Sequence, residues 1–343
     1  MSARVLIVAI VASVSINGCS QVPAPALHGS QTAIPAGFTH EFAQPARSLK
    51  FFDTPTPFSW PDYITRGPQN ALWFSEFYAD KVGRITTDGK VTEFSIPNGD
   101  IEGITAGPDG NIWFTQPGAS EIGRMTPAGV FTSFPITGPN PSPRGITAGP
   151  DGNLWYVEFY DSYIGRVTPS GTITRFAIPG SSSYPWAITT GPDGDLWFTE
   201  SATNQIGRFD PKSQRFESSL VVPTASSVPW GIMLGPKNRI WFTERRGNKI
   251  AVVVNGKIFE TPIREAGSYP DTIALGSDGD LWFTENQTAA IGRIDPANGK
   301  LDSTIPLPSG SIPTGIASGV DGDLYFAIAS YSNPGEIGEI ILH

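Results

Sequence analysis

One phrase recurs seven times along this chain. A representative copy runs from Ile188 to Glu200 as Ile-Thr-Thr-Gly-Pro-Asp-Gly-Asp-Leu-Trp-Phe-Thr-Glu and is followed by Ile206-Gly-Arg208. Its anchor aromatics fall at Trp73, Trp113, Trp155, Trp197, Trp241, Trp282 and Tyr325, a spacing of about 42 residues. A period of that length made of short strand-like runs predicts an all-β, seven-bladed β-propeller. Each copy reads as four strands, a to d. In blade 2 these are Gly103 to Gly107, Ile112 to Thr115, Ile122 to Thr126 and Val130 to Ile136. A Pro-Asp-Gly turn joins strands a and b, its Gly supplying the positive φ of a tight hairpin.

The count of d strands predicts how the ring closes. Six copies carry their own, near residues 91–96, 130–136, 172–178, 215–222, 257–263 and 300–307, whereas the seventh ends at Ile340-Ile341-Leu342-His343. A spare strand-like segment, Leu49 to Pro55, precedes the first copy. It is expected to complete the last blade and cover its open edge.

The N-terminus has a different character. A short basic start and an apolar run from Val5 to Ile16 lead to Ile16-Asn17-Gly18-Cys19, which holds the only cysteine of the 343 residues. The run is too short to span a bilayer and suits a signal sequence. Residues 1–19 are therefore expected to be a lipoprotein signal, with Cys19 lipidated. Residues 20–47 read as a Pro/Ala/Gly/Ser-rich spacer and residues 48–343 as the propeller. The expected location is the bacterial cell envelope, on a periplasmic or outer surface, with membrane contact only through the lipid. Net charge is −9 with no basic run, which argues against nucleic acid as a partner. A monomer is expected.

Laying the copies over one another separates constant positions from variable ones. Simple counting places the residue two before the strand-a Ile opposite the residue three after the Trp, so that Asp62 faces Glu76 and Asp271 faces Glu285. The second position is nearly constant: Glu76, Gln116, Glu158, Glu200, Glu244, Glu285 and Ile328. Constancy suggests structural acids paired with the strand-c arginines Arg84, Arg166, Arg208 and Arg293, the alternative being an acidic cation site. The first position varies: Asp62, Glu102, Arg144, Trp186, Trp230, Asp271 and Thr314. Unlike side chains on the innermost strands, with Trp60, Phe77, Tyr78, Phe159, Tyr160, Tyr184 and Tyr269 near them, predict a ligand site at the central mouth. Asp62, Glu102, Arg144, Trp186, Trp230 and Asp271 are its expected contacts. Arg144 is also placed to pair with Glu158. The acids Asp62, Glu102 and Asp271 have no basic partner in their own copies, and two of them are candidates to share a divalent cation through oxygen ligands.

The repeat phrase resembles the virginiamycin B lyase (streptogramin lyase) family over about residues 49 to 343. The resemblance implies a seven-bladed propeller and an Mg²⁺-assisted elimination that opens a cyclic depsipeptide. It implies a Glu-x-His motif at the start of the sixth strand a, a second metal-holding Glu on strand b of that blade, and a substrate-contacting His one blade earlier. Here Tyr269 stands at the metal Glu, Asp271 at the catalytic His and Trp230 at the earlier His, so that Glu285 alone is retained. The three histidines, His28, His40 and His343, lie outside the inner strands. Elimination beside a carbonyl needs a base suited to neutral pH, which histidine supplies directly. The expected function is accordingly binding of a small-molecule, peptide-like or glycan-like ligand, the lyase chemistry being lost. Two alternatives are a Mg²⁺-dependent lyase or hydrolase, with Asp271 as its catalytic residue and Asp271 and Glu285 holding the metal, and an envelope scaffold for protein partners.

Overall fold

The structure, a computed structural model, describes residues 48–343 except 181, 303, 332 and 333. The expected signal sequence, Cys19 and the expected spacer lie outside the described residues. Seven antiparallel sheets follow one another, each ordered a-b-c-d from the central axis outward. Blade 1 comprises Pro61–Gly67, Ala71–Glu76, Lys81–Thr86 and Val91–Ser95. In blades 4 and 6 the expected outer strand is broken into two short pieces, Arg215–Phe216 with Leu220–Val221 and Lys300–Leu301 with Ile305–Pro306. In blade 4 the break lets Ser219 turn inward and donate to Glu200 at 3.0 Å.

Ring closure follows the sequence expectation. Leu49–Asp53 pairs antiparallel with Glu336–Ile340, from Leu49 opposite Ile340 to Asp53 opposite Glu336. The segment also packs: Phe51 meets Phe326 edge-on at 6.5 Å, and Phe52 joins the cluster between blades 7 and 1 that holds Tyr325, Leu72 and Ile64.

The constant residues of the repeat form the walls between blades. The anchor aromatics are buried because each closes an apolar cluster shared with the next blade, as Trp73 does with Ile104, Ile112 and Phe114. In blades 2 and 3 the turn Asp fixes the indole: Trp113 Nε1 donates to Asp109 and Trp155 Nε1 to Asp151, both at 3.0 Å. Glycine in Ile-Gly-Arg leaves room for the strand-b ring, since a Cβ on Gly123 would lie 2.1 Å from the Phe114 ring.

The strand-c arginines do not pair with the constant glutamates. Register places Trp73 opposite Arg84 and Trp282 opposite Arg293, with the glutamate three residues further along strand b. Each guanidinium instead lies over its own Trp, 5.5 Å away for Arg84 and 5.4 Å for Arg293. Arg208 and Arg293 also hold acids of the a–b turn, Arg208 reaching Asp195 at 2.6 Å and Arg293 reaching Asp280 at 2.5 Å. Arg144 does not reach Glu158 either; Arg175 of strand d holds it, donating through Nε at 2.8 and 3.0 Å to the two carboxylate oxygens.

Glu76 and Glu244 have no guanidinium bound to them; Lys81 and Lys249 act only as neighbouring charges that oppose the effect of burial, and neither carboxylate oxygen pair has a hydrogen-bond partner although both residues are fully buried. Burial, and then the charge of Glu93 or Glu260, pushes each up to about 8. A carboxyl raised in the folded state contributes stability that is complete below pH 4.5 and is lost as pH rises through about 8. Thermal melts are therefore expected to show a lower melting temperature at pH 9 than at pH 6. Glu76→Gln and Glu244→Gln together should flatten that slope by about 2 kcal/mol or more, each tenfold in proton affinity being worth about 1.4 kcal/mol. An unchanged slope in the double variant would refute the assignment.

Candidate functional site

A bulge at the start of strand a places the variable residues. Pro61 pairs with Glu76 and Ile64 with Phe74, so two residues, Asp62 and Tyr63, lie opposite the single Ser75. The same shift puts Pro270, not Asp271, opposite Glu285. The counted register was thus one residue off, because a bulge inserts an unpaired residue that counting does not reveal. Its consequence is a separation of the two sets of acids. The constant glutamates turn into the blades, while the variable residues face the axis.

Where strand b carries a hydroxyl two residues after the anchor aromatic, it bonds the backbone at this point; blades 3 and 7, with Val157 and Ala327 there, bulge without one. Thr115 Oγ1 accepts from the Gly103 amide at 2.9 Å and donates to the Arg144 carbonyl of the next blade at 2.8 Å. Thr243 does the same between Gly231 and the Asp271 carbonyl, and Thr284 between Thr272 and the Thr314 carbonyl. The residue after each variable position is small where the neighbouring backbone comes close: a Cβ on Gly231 would lie 2.5 Å from the Asp271 carbonyl oxygen.

The variable residues enclose a cavity of about 710 Å³. All six expected contacts, Asp62, Glu102, Arg144, Trp186, Trp230 and Asp271, line it, with Thr314 of the seventh copy. Trp60, Phe77 and Tyr78 join them, whereas Phe159 and Tyr184 stack on one another at 4.9 Å behind Trp186. One side of the cavity is a stacked ladder. The Arg144 guanidinium sits 4.9 Å over Trp186, Trp186 stacks on Trp230 at 3.6 Å, and Arg245 lies 4.3 Å over Trp230. Such cation–π contacts strengthen when desolvated. Trp186 Nε1 donates at 2.9 Å to the hydroxyl of Tyr63, joining blade 4 to blade 1.

Three acids face this ladder. Glu102, 3% exposed, is ion-paired with Arg144 of the next blade, so its basic partner lies outside its own copy. Burial, and then Glu102 and Asp271, raises the Asp62 carboxyl well above the ordinary range, with Arg245 and Arg144 opposing. Asp271 is 7% exposed and raised by burial, Arg245 and the Trp230 indole opposing, and its Oδ1 has no hydrogen-bond partner.

The residues do not fit the magnesium pair that the resemblance implies. Tyr269 replaces one carboxylate. Glu285 faces the blade interior, accepting from Thr288 at 3.0 Å with Glu265 as its charged neighbour, while Asp271 lines the cavity beside Arg245. Among the described residues, the set of three acids near enough to hold an ion is Asp321, Asp323 and Glu339. Asp321 and Asp323 belong to an a–b turn, at the end of the strands remote from the mouth.

Tyr63, Arg245 and Tyr331 also line the cavity and were not singled out from the sequence. Tyr63 had a signal, because most other copies carry a small residue at its position: Gly103, Gly145, Ala187, Gly231 and Gly315.

Comparison with known proteins agrees with this architecture. The Virginiamycin B lyase family model matches residues 44–221 and 214–342. A catalytically inactive virginiamycin B lyase from Staphylococcus aureus with Quinupristin is 33% identical, covering 87% of this chain and 100% of its own, with a TM-score of 0.81. A streptogramin B lyase structure is also 33% identical, covering 87% of this chain and 98% of its own, with a TM-score of 0.80. Kuenenia stuttgartiensis hydrazine synthase shares the fold at 16% identity over 88% of this chain and 98% of its own, with a TM-score of 0.68. A search of curated proteins found no match.

Proposed function

The chain belongs to the virginiamycin B lyase family, and from that premise we propose that it binds a small-molecule, peptide-like or glycan-like ligand in the axial cavity without opening it by elimination. The observation that carries this reading is the exchange at the mouth. The position where the family's pattern has its acid/base histidine holds Asp271, the earlier histidine position holds Trp230, and both still line a cavity large enough for a ligand. The two changes act together. Trp230 is locked between Trp186 and Arg245, so it offers a ring edge but no proton acceptor. Asp271 is a carboxyl raised by burial, suited to accepting a hydrogen bond from a held ligand.

The proposal extends to location: export through residues 1–19 and attachment at Cys19 would place the mouth in the cell envelope. Labelling with a radioactive fatty acid, lost on Cys19→Ala, tests this.

Quinupristin is the natural probe of the cavity, since the relative's structure holds it. Its binding is expected to quench tryptophan fluorescence, to weaken about tenfold in Trp230→Ala through loss of a desolvated aromatic contact, and to leave the macrocycle intact by mass spectrometry. A ring-opened product, or equal binding by Trp230→Ala, would overturn the reading.

A further inference from the structure

The cavity divides by charge. Three carboxyls, Asp62, Glu102 and Asp271, face two guanidiniums, Arg144 and Arg245. Both guanidiniums are engaged through their faces with Trp186 and Trp230, and Arg144 also holds Glu102. The acids are less satisfied. Asp271 is more than nine-tenths buried and lines the cavity, with Oδ1 lacking any hydrogen-bond partner. A buried acceptor without a donor is costly, and a ligand donor would relieve it. At the lip, Trp60 gathers Tyr78 at 5.2 Å and Tyr331 at 4.7 Å, and the two tyrosines are 62% and 78% exposed. Exposed rings beside a carboxyl are the elements by which proteins hold organic cations.

Resting on the binding role given above, we propose that the cavity selects ligands carrying an ammonium group next to an aromatic or apolar one. The ammonium is held by Asp271 and Asp62, and the apolar part rests on Trp60, Tyr78 and Tyr331. An ammonium supplies three donors and no acceptor, which matches an acceptor-rich pocket floor. A ligand carboxylate would meet Asp62 and Asp271, and one of the two guanidiniums, Arg144, already holds Glu102.

Benzylammonium, benzyl alcohol and benzoate, which share a ring, test this with the full chain by tryptophan fluorescence titration at neutral pH. The expected order is benzylammonium tightest, about tenfold over benzyl alcohol, with benzoate weakest. Asp271→Asn is expected to bring the first two to within about twofold, because the carboxamide keeps the shape and removes the charge. Asp62→Asn serves the same purpose should Asp271→Asn fail to fold. Trp60→Ala should weaken all three. Equal binding of benzylammonium and benzyl alcohol, a preference for benzoate, or selectivity unchanged in the folded Asn variants overturns cation selection while leaving the cavity as a binding site. Absence of Trp60-dependent binding by all three probes overturns both.

Discussion

Removal of residues 1–57 is expected to yield a chain that aggregates or melts far below the intact protein. The deletion takes away the outer strand of blade 7 and exposes the backbone edge of Glu336–Ile340. It also removes Leu49 and Phe51 from the cluster holding Phe326, Ile328 and Ile340, and Phe52 from the next one. These side chains are half-buried, so the loss is roughly 1 kcal/mol each, half of what full burial would bring. Further along, the Thr54 amide donates to the Gly335 carbonyl at 2.8 Å, and Thr56 donates to Glu93 of blade 1 through its amide at 2.8 Å and its hydroxyl at 2.6 Å. The segment is thus bonded to blade 7 and blade 1 at once. Its total contribution is a large part of the ~5–15 kcal/mol by which a domain is stable, and the open edge is a template for pairing with other chains. Light scattering and calorimetry check this. A peptide spanning residues 48–57, added in trans, is expected to raise the melting temperature of whatever soluble fraction remains. A soluble truncation with unchanged melting would sink the closure mechanism.

Arg175→Met is the single substitution expected to cost most, about 3–5 kcal/mol, since it leaves a buried carboxylate without its cation. Glu158 is fully buried, and Arg175 holds it through both oxygens while also reaching Asp161 at 2.8 Å. Burial raises Glu158 and Arg175 opposes that rise, so the variant should regain stability as pH falls and the acid takes up a proton. Adding Glu158→Gln should recover a large part of the loss at neutral pH. Chemical denaturation of the two variants at pH 5 and pH 8 measures both effects. A loss that is independent of pH, or no recovery in the double variant, would show that packing rather than charge is at stake.

Seven blades, the closing strand and the axial position of the variable residues were legible in the sequence, because each follows from period, alternation and counting. What was not legible was partner choice. The acid three residues after the Trp looks like one structural solution repeated, yet it meets Arg175 in blade 3, Ser219 and Thr203 in blade 4, and Thr288 in blade 6. These partners come from strand d or the following loops, where the copies differ most. Glu102 found Arg144 across a blade boundary, which comparison within a single copy cannot show. The bulge was hidden for another reason. In several copies it comes with a Ser or Thr two residues after the Trp, a side chain that reads as an ordinary strand residue until its hydroxyl is seen bonding backbone at the bulge, as Thr243 does between Gly231 and Asp271, but blades 3 and 7 bulge with Val157 and Ala327 there.

That hydroxyl has a consequence for how such a protein can change. The bridge fastens the main chain at the mouth through an amide and a carbonyl, groups that every residue at the neighbouring position possesses. The side chain beside it takes no part in that bridge. An arginine, a tryptophan and an aspartate can therefore stand on different blades in the same frame, as Arg144, Trp230 and Asp271 do. The mouth behaves as a row of interchangeable sockets on a frame indifferent to what is plugged in. One residue can be exchanged for another in such a socket while the propeller around it stays as it was.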